Sequence, residues 1–227
     1  MNLEKLQEFL NTAQIPEFKQ QPKTFLEIAN QPHYENVISS MYAFFFDTEE
    51  EHGFGDLFIN SLVNCINDKS NSEWITDFTD FDIFTEYATK KGRIDILLKN
   101  DDAAIIIENK IYHHLKNNLS EYSEYIQSKV SNDDAVFGLV LGLKEINSNQ
   151  NNFVSLTHKE LLDEVLQNIG EYLLDASEKY VTFLKDFYQN IINLSEKTMK
   201  YNELEFYLNH QEKITDLMKL KNQYKKH

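Results

Sequence analysis

The sequence predicts an α/β protein, a mixed sheet flanked by helices. Three observations carry that prediction. Apolar residues keep helical spacing to about residue 67, alternate or run together between 82 and 110, and return to helical spacing over 117–130. A further wholly apolar run, "AVFGLVLGL" at 135–143, suits a central buried strand. Only 6 Gly and 3 Pro occur among 227 residues, too few for a loop-rich all-β chain.

Leu3, Leu6, Phe9 and Leu10 put a helix on 3–12, and Pro16, Pro22 and Pro32 punctuate the chain between it and the next helix. "HYENVISSMYAFFFD" reads as a helix over 34–46, with Val37, Ile38, Met41, Tyr42, Phe44 and Phe45 apolar. In "DTEEEHGFG", His52 beside Glu49, Glu50 and Glu51 reads as a solvated turn rather than a metal site. "DLFINSLVNCIN" is a second helix, in which Cys65 reads as a small core residue. "DIFTEYAT" (82–89) alternates as a strand and exposes Glu86; Lys90-Lys91-Gly92 is a turn. "RIDILLK", the turn "NDD" and "AAIIIENK" make a hairpin. Leu119, Tyr122, Ile126 and Val130 share one side of the helix at 117–130. "INSNQNN" (146–152) is a loop, and everything after it is helical, opened by a capping box of Thr157 and Glu160. The chain divides into an N-terminal helical extension (1–33), a core (34–145) and a C-terminal helical region packed on the core (146–227).

Hydrophobic residues make up 41% and aromatics 13%, enough for a sizeable core. One Cys excludes an internal disulfide framework and fits a reducing compartment. No run reaches the ~20 apolar residues of a membrane span, and "MNLEKLQEFL" lacks the apolar region of a signal peptide. The expectation is a cytoplasmic protein without a membrane. The net charge of −15 speaks against a protein that coats nucleic acid, yet leaves room for a local basic site.

The hairpin carries charge where burial is expected. If 99–103 connects its strands, paired residue numbers sum to about 203, and Asp95 lies opposite Glu108. Alternation puts Lys110 on the face of Glu108. Two opposed carboxylates repel and need compensation. Lys110 supplies part of it; a hard divalent cation, which takes one or two carboxylates plus water and phosphate, supplies more. A solvated surface salt bridge is the plain alternative, made less attractive by Ile94, Ile96, Leu97 and Ile105 to Ile107.

Asp95 followed by Glu108-Asn109-Lys110 resembles the D…ExK signature of the PD-(D/E)XK nuclease superfamily, with its restriction-endonuclease-like fold. "GRIDILL…IIIENKIY…NNLSEY" and "ENVISSMYAFFFDTEEEHGFGDLFINSL" are similar to a bacterial branch of it, over about residues 34–142. The resemblance implies that Asp95, Glu108 and the backbone carbonyl of Asn109 hold Mg²⁺ or Mn²⁺, and that Lys110 positions the attacking water. An acid on the first core helix often completes such sites; Glu35 fits, and equally fits a helix-start acid facing the dipole. Asn118 stands where the branch has Gln, and Tyr122 matches its aromatic, though a helix-start Asn and a core Tyr are as good a reading.

Lys90, Lys91 and Arg93 form one basic cluster near the hairpin, and His113, His114 and Lys116 another. Lys90, Lys91, Arg93 and Lys116, with Asn118 and Tyr122, are the candidates for contact with substrate; an ordinary solvated turn is an equal reading of the basic clusters. The implied activity is metal-dependent hydrolysis of phosphodiesters, in DNA ahead of RNA. The C-terminal helices either cover the sheet or form a homodimer interface. Two rivals are a catalytically inactive nuclease-like module that binds a protein, and an acidic nucleic-acid mimic acting as an inhibitor.

Overall fold

Five strands form one sheet in the order β1-β2-β3-β4-β5: β1 Asp82–Ala88, β2 Arg93–Lys99, β3 Ala104–Lys110, β4 Val136–Gly142 and β5 Phe153–Thr157. The first three strands pair antiparallel, while β3–β4 and β4–β5 are parallel. The helices of the computed structural model are α1 Leu3–Thr12, α2 Phe25–Ile28, α3 Glu35–Phe46, α4 Leu57–Ser70, α5 Leu119–Gln127, α6 His158–Asn168, α7 Glu178–Met199 and α8 Tyr201–Tyr224. It describes residues 3–13, 22–70, 78–112, 119–132, 135–146, 153–199 and 201–224.

This is the mixed sheet flanked by helices that the sequence predicts. One sheet face buries Ile96, Leu98, Ile105, Ile107, Leu139 and Leu141 against α3, α4, α6 and α7. The other buries Leu97, Ala104, Ile106 and Val140 against Leu119, Tyr122 and Ile126 of α5. All seven residues of β3 are buried, because parallel pairing on one side and helices on both faces leave it no solvent. The turn between β2 and β3 is held by Asn100, whose side-chain oxygen accepts the N–H groups of Asp102 and Ala103.

Two readings are corrected. Phe153–Thr157 is a strand, not the lead-in to a helical region. Its alternation is only five residues long, and the capping box of Thr157 and Glu160 begins at its last residue. The brief α2 was also missed; Thr24 caps it.

The chain forms two compact units. One spans Lys23–Leu194 and holds the sheet with α2 to α6 and most of α7; the other is Met1–Pro22 with Ser195–His227. In the second unit the Phe9 ring meets Phe206 at 6.4 Å and His210 at 5.0 Å. Among the described residues no helix is long and apolar enough to cross a membrane.

Candidate active site

The site lies where β2 and β3 part. Their ladder runs from Lys99–Ala104 to Ile96–Ile107, every pair summing to 203 as predicted, and stops one pair short of Asp95 and Glu108. There the Asn109 N–H donates to Asp95 Oδ2 at 2.7 Å. On the other flank β1 pairs Thr85 with Ile96 and Tyr87 with Ile94, skipping Glu86 and Asp95. Glu86 has φ of 53°, a left-handed conformation that costs a non-glycine residue about 1–2 kcal/mol. Residue counts on the two strands stay equal, so the register is kept and the backbone kinks. Ile94 and Ile96, two apart, therefore enter opposite core clusters instead of sharing a face. The kink releases Asp95 from the ladders on both sides.

Lys110 gathers the acids. Its Nζ lies 2.7 Å from Glu108 Oε1, 3.3 Å from Asp95 Oδ2 and 3.7 Å from Glu35 Oε2. It also donates to the Asn109 carbonyl at 2.9 Å. Glu108 is wholly buried and the Lys110 side chain is 9% exposed. The plain surface salt bridge is thereby set aside.

Glu35 opens α3, and its Oε1 accepts the Ile111 N–H at 2.8 Å. The Asn109 side-chain amide donates to the Glu35 carbonyl and to Ser39 Oγ, both at 2.9 Å. The first turn of α3 is thus pinned to the end of β3. The chain leading to Glu35 is anchored too, since Asn190 of α7 donates to the Pro32 carbonyl and Asp186 accepts the Phe25 N–H.

Burial raises the Asp95 carboxyl above its ordinary range, against the pull of Lys110 and the Asn109 N–H; Glu35 adds to the rise. Burial opposes the charge on Lys110 as well, but Glu108, Asp95 and Glu35 together outweigh it and raise the ammonium.

Among the described residues no group of three His, Cys, Asp or Glu side chains makes a ready cage for a metal. A hard cation needs no such cage, because it takes one or two carboxylates and fills the rest with water and phosphate oxygen. Asp95, Glu108 and the Asn109 carbonyl are oxygen donors of that kind, with more negative charge than Lys110 balances. The donor set fits Mg²⁺ or Mn²⁺.

The other predicted residues separate. Tyr122 is buried, and its hydroxyl donates to the Arg93 carbonyl at 2.9 Å, so it anchors β2 from α5. A Cβ at Gly92 would stand 2.7 Å from that hydroxyl, which accounts for glycine there. Lys90 and Lys91 line a cleft of about 340 Å³ with Thr89, Glu121, Glu124 and Tyr125. Lys91 pairs with Glu121 at 2.6 Å, and Arg93 with Glu86 at 2.8 Å. Lys116, Asn118, His113 and His114 lie outside the described residues.

Two histidines differ from expectation or were missed. His52 is fully buried, not solvated: its Nδ1 accepts the Phe54 N–H, and its Nε2 meets the Asp47 carbonyl at 2.9 Å. Aromatic neighbours Phe44, Phe45 and Phe54 enclose it. His158, first residue of α6, is buried with Nδ1 3.0 Å from the Tyr42 hydroxyl and the Lys110 backbone against it. Burial lowers its pKa to about 3, so it is neutral at physiological pH. It wedges between α3 and the end of β3. In sequence it looked like an ordinary helix start, and only its place after an apolar strand could have marked it.

No curated protein and no solved structure matches this chain. The sequence model of the PD-(D/E)XK nuclease superfamily matches residues 24–226, which take in the whole sheet, α3 and every residue around Lys110. With that match over most of its length, the chain belongs to the PD-(D/E)XK nuclease superfamily.

Proposed function

We propose that this protein is a metal-dependent nuclease that hydrolyses phosphodiester bonds, with DNA as the first substrate class. The observation that carries the reading is the convergence of Glu35, Asp95 and Glu108 on the Lys110 ammonium at the end of β3. Asp95, Glu108 and the Asn109 carbonyl would hold the cation. When bound, Mg²⁺ or Mn²⁺ polarises the phosphoryl oxygens and eases formation of a hydroxide nucleophile at neutral pH.

The chain's own residues do the rest. Lys110 Nζ points its donors into the carboxylate cluster, where it orients an attacking water and balances charge that develops on the phosphate. One preorganised donor of this sort is worth about 10²–10³ in rate. Glu35 adds a third carboxylate and fixes the cluster to α3 through the Ile111 N–H. Asn109 keeps that helix in place with its side chain.

The net charge of −15 favours an inhibitor that mimics nucleic acid. Such a mimic gives no role to this cluster, in which Glu108 is buried and Asp95 and Glu35 are partly buried around a lysine. An inactive binding module would have no use for so costly a cluster, since each ion taken from water costs several kcal/mol unless paired.

The deciding experiment incubates the protein with linear duplex, circular duplex and single-stranded DNA, and with RNA, in Mg²⁺, Mn²⁺ or EDTA. Cleavage with metal and none in EDTA is expected. Full activity in EDTA, or no cleavage of any substrate with either metal, overturns the reading.

A further inference from the structure

Three exposed aromatic rings stand beside the carboxylate cluster. The His33 ring stacks on Tyr34 with centroids 5.1 Å apart and planes 28° apart, and meets the Tyr112 ring at 5.9 Å. Tyr34 is 48% and Tyr112 49% exposed. The placement follows from the site itself. Tyr34 directly precedes Glu35, and Tyr112 directly follows Ile111, whose N–H Glu35 holds. The bond that completes the acid cluster therefore also brings the two tyrosines to its rim.

From this geometry we propose that Tyr34, Tyr112 and His33 form a stacking platform for unpaired nucleobases, which makes a single strand or frayed end the preferred substrate. The proposal rests on the nuclease reading and deepens it.

Charge supports it. Capture of a duplex by its phosphates needs lysines and arginines turned to the backbone. Among the described basic residues near the site, Lys110 is held by three acids, and Lys91 and Arg93 pair on the surface with Glu121 and Glu86, leaving Lys90 on a chain of net charge −15. Stacking on an aromatic face costs nothing in charge, and every base offers a π-face whatever its sequence. Bases within a duplex hide those faces, so only an unpaired base gains. A base stacked on Tyr34 or Tyr112, which adjoin Glu35 and Ile111 in the chain, would carry its own sugar-phosphate toward the cluster.

The test compares wild type with a Tyr34→Ala/Tyr112→Ala double variant and a Tyr34→Phe/Tyr112→Phe double variant. Binding is read with Ca²⁺, using oligonucleotides that carry fluorescent 2-aminopurine, single-stranded or in a blunt duplex of the same sequence. Wild type should bind the single strand about tenfold more tightly than the duplex and quench the probe, as stacking does. The Ala pair should lose both the preference and the quenching, and the Phe pair should keep them. Equal binding of strand and duplex by wild type, or an Ala pair indistinguishable from wild type, overturns the platform. So does an equal loss on both ligands, which would mark a general surface effect. Cleavage with Mg²⁺ or Mn²⁺ is scored separately. A protein that cleaves nothing fails as a nuclease, while the Ca²⁺ binding comparison still decides the platform.

Discussion

Asn109 donates its backbone N–H to Asp95 Oδ2 at 2.7 Å, just past Ile96–Ile107, the last pair of the β2–β3 ladder. A side chain thus takes the place of a strand. The two strands separate there without exposing a buried amide, which would cost about 1–3 kcal/mol. The same bond turns Asp95 toward Lys110. Strand pairing and site assembly are one event, and changes at Asp95 or Lys110 should register in both stability and activity.

Lys110→Ala removes the only ammonium among the three acids described around it. Turnover should fall at least about a hundredfold. Metal-free stability should fall by about 3 kcal/mol, the scale for leaving a buried charge without its partner. Lysine is no metal ligand, so Mn²⁺ should still bind and restore much of the lost melting temperature. Calorimetry on the folded variant checks this; loss of Mn²⁺ binding contradicts the role assigned to Lys110.

Glu35→Gln separates two roles of one side chain. Glutamine keeps an oxygen for the Ile111 N–H and removes only the charge. Folding should change by less than about 1 kcal/mol, the scale of a helix-start acid facing the dipole. Cleavage should drop about tenfold or more if the carboxylate completes the site. A normal rate with an unchanged fold returns Glu35 to the helix start alone.

The hairpin was readable because its register and its alternation leave no freedom: Asn100 marks the turn, and the paired numbers then sum to 203. The nearness of Asp95, Glu108 and Lys110 was readable from that register, although the ladder ends before Asp95 and Glu108 pair, and Glu35 was readable only from resemblance. The kink at Glu86 was not. Glutamate gives no sign of a left-handed backbone, which glycine or asparagine would have given. His52 and His158 were hidden for a related reason. A histidine among acids or at a helix start looks solvated until tertiary packing encloses it, here with Phe44, Phe45 and Phe54 or with Tyr42. Nor could Tyr34 and Tyr112, 78 positions apart, be seen as neighbours before Glu35 was joined to Ile111.

His158 gives a pH prediction. In the unfolded chain it takes up a proton near its ordinary pKa of 6.5, while in the folded protein burial holds it neutral down to about 3. Between those values the unfolded state binds more protons, so stability is lost as pH falls. At about 1.4 kcal/mol per unit, His158 alone removes about 2 kcal/mol between pH 6.5 and 5. His52, also held low by burial, adds to the trend. His158→Phe should flatten this acid limb by about that amount in urea melts at pH 7, 6 and 5. An unchanged slope would mean that His158 is protonated in the fold.

Asp95→Asn tests the site without any substrate. The Asp95 carboxyl is raised chiefly by burial, so the metal-free fold disfavours its charge even with Lys110 3.3 Å away. A folded pKa above the unfolded one gives stability at low pH that is lost as pH rises through the folded value. At pH 7 the charged Asp95 is therefore a net cost. Asparagine keeps the shape and an oxygen for the Asn109 N–H, removes that cost, and leaves Lys110 with Glu108 at 2.7 Å. The metal-free melting temperature should rise. Most substitutions lower it, so a gain is informative. Metal should reverse the comparison. An ion at 100 times its dissociation constant adds about 2.7 kcal/mol to wild type, and the variant, short of one ligand charge, should show almost none of that shift in Mn²⁺ and no cleavage. A lower metal-free melting temperature together with a full Mn²⁺ shift would make Asp95 a structural partner of Lys110 and remove it from the metal site.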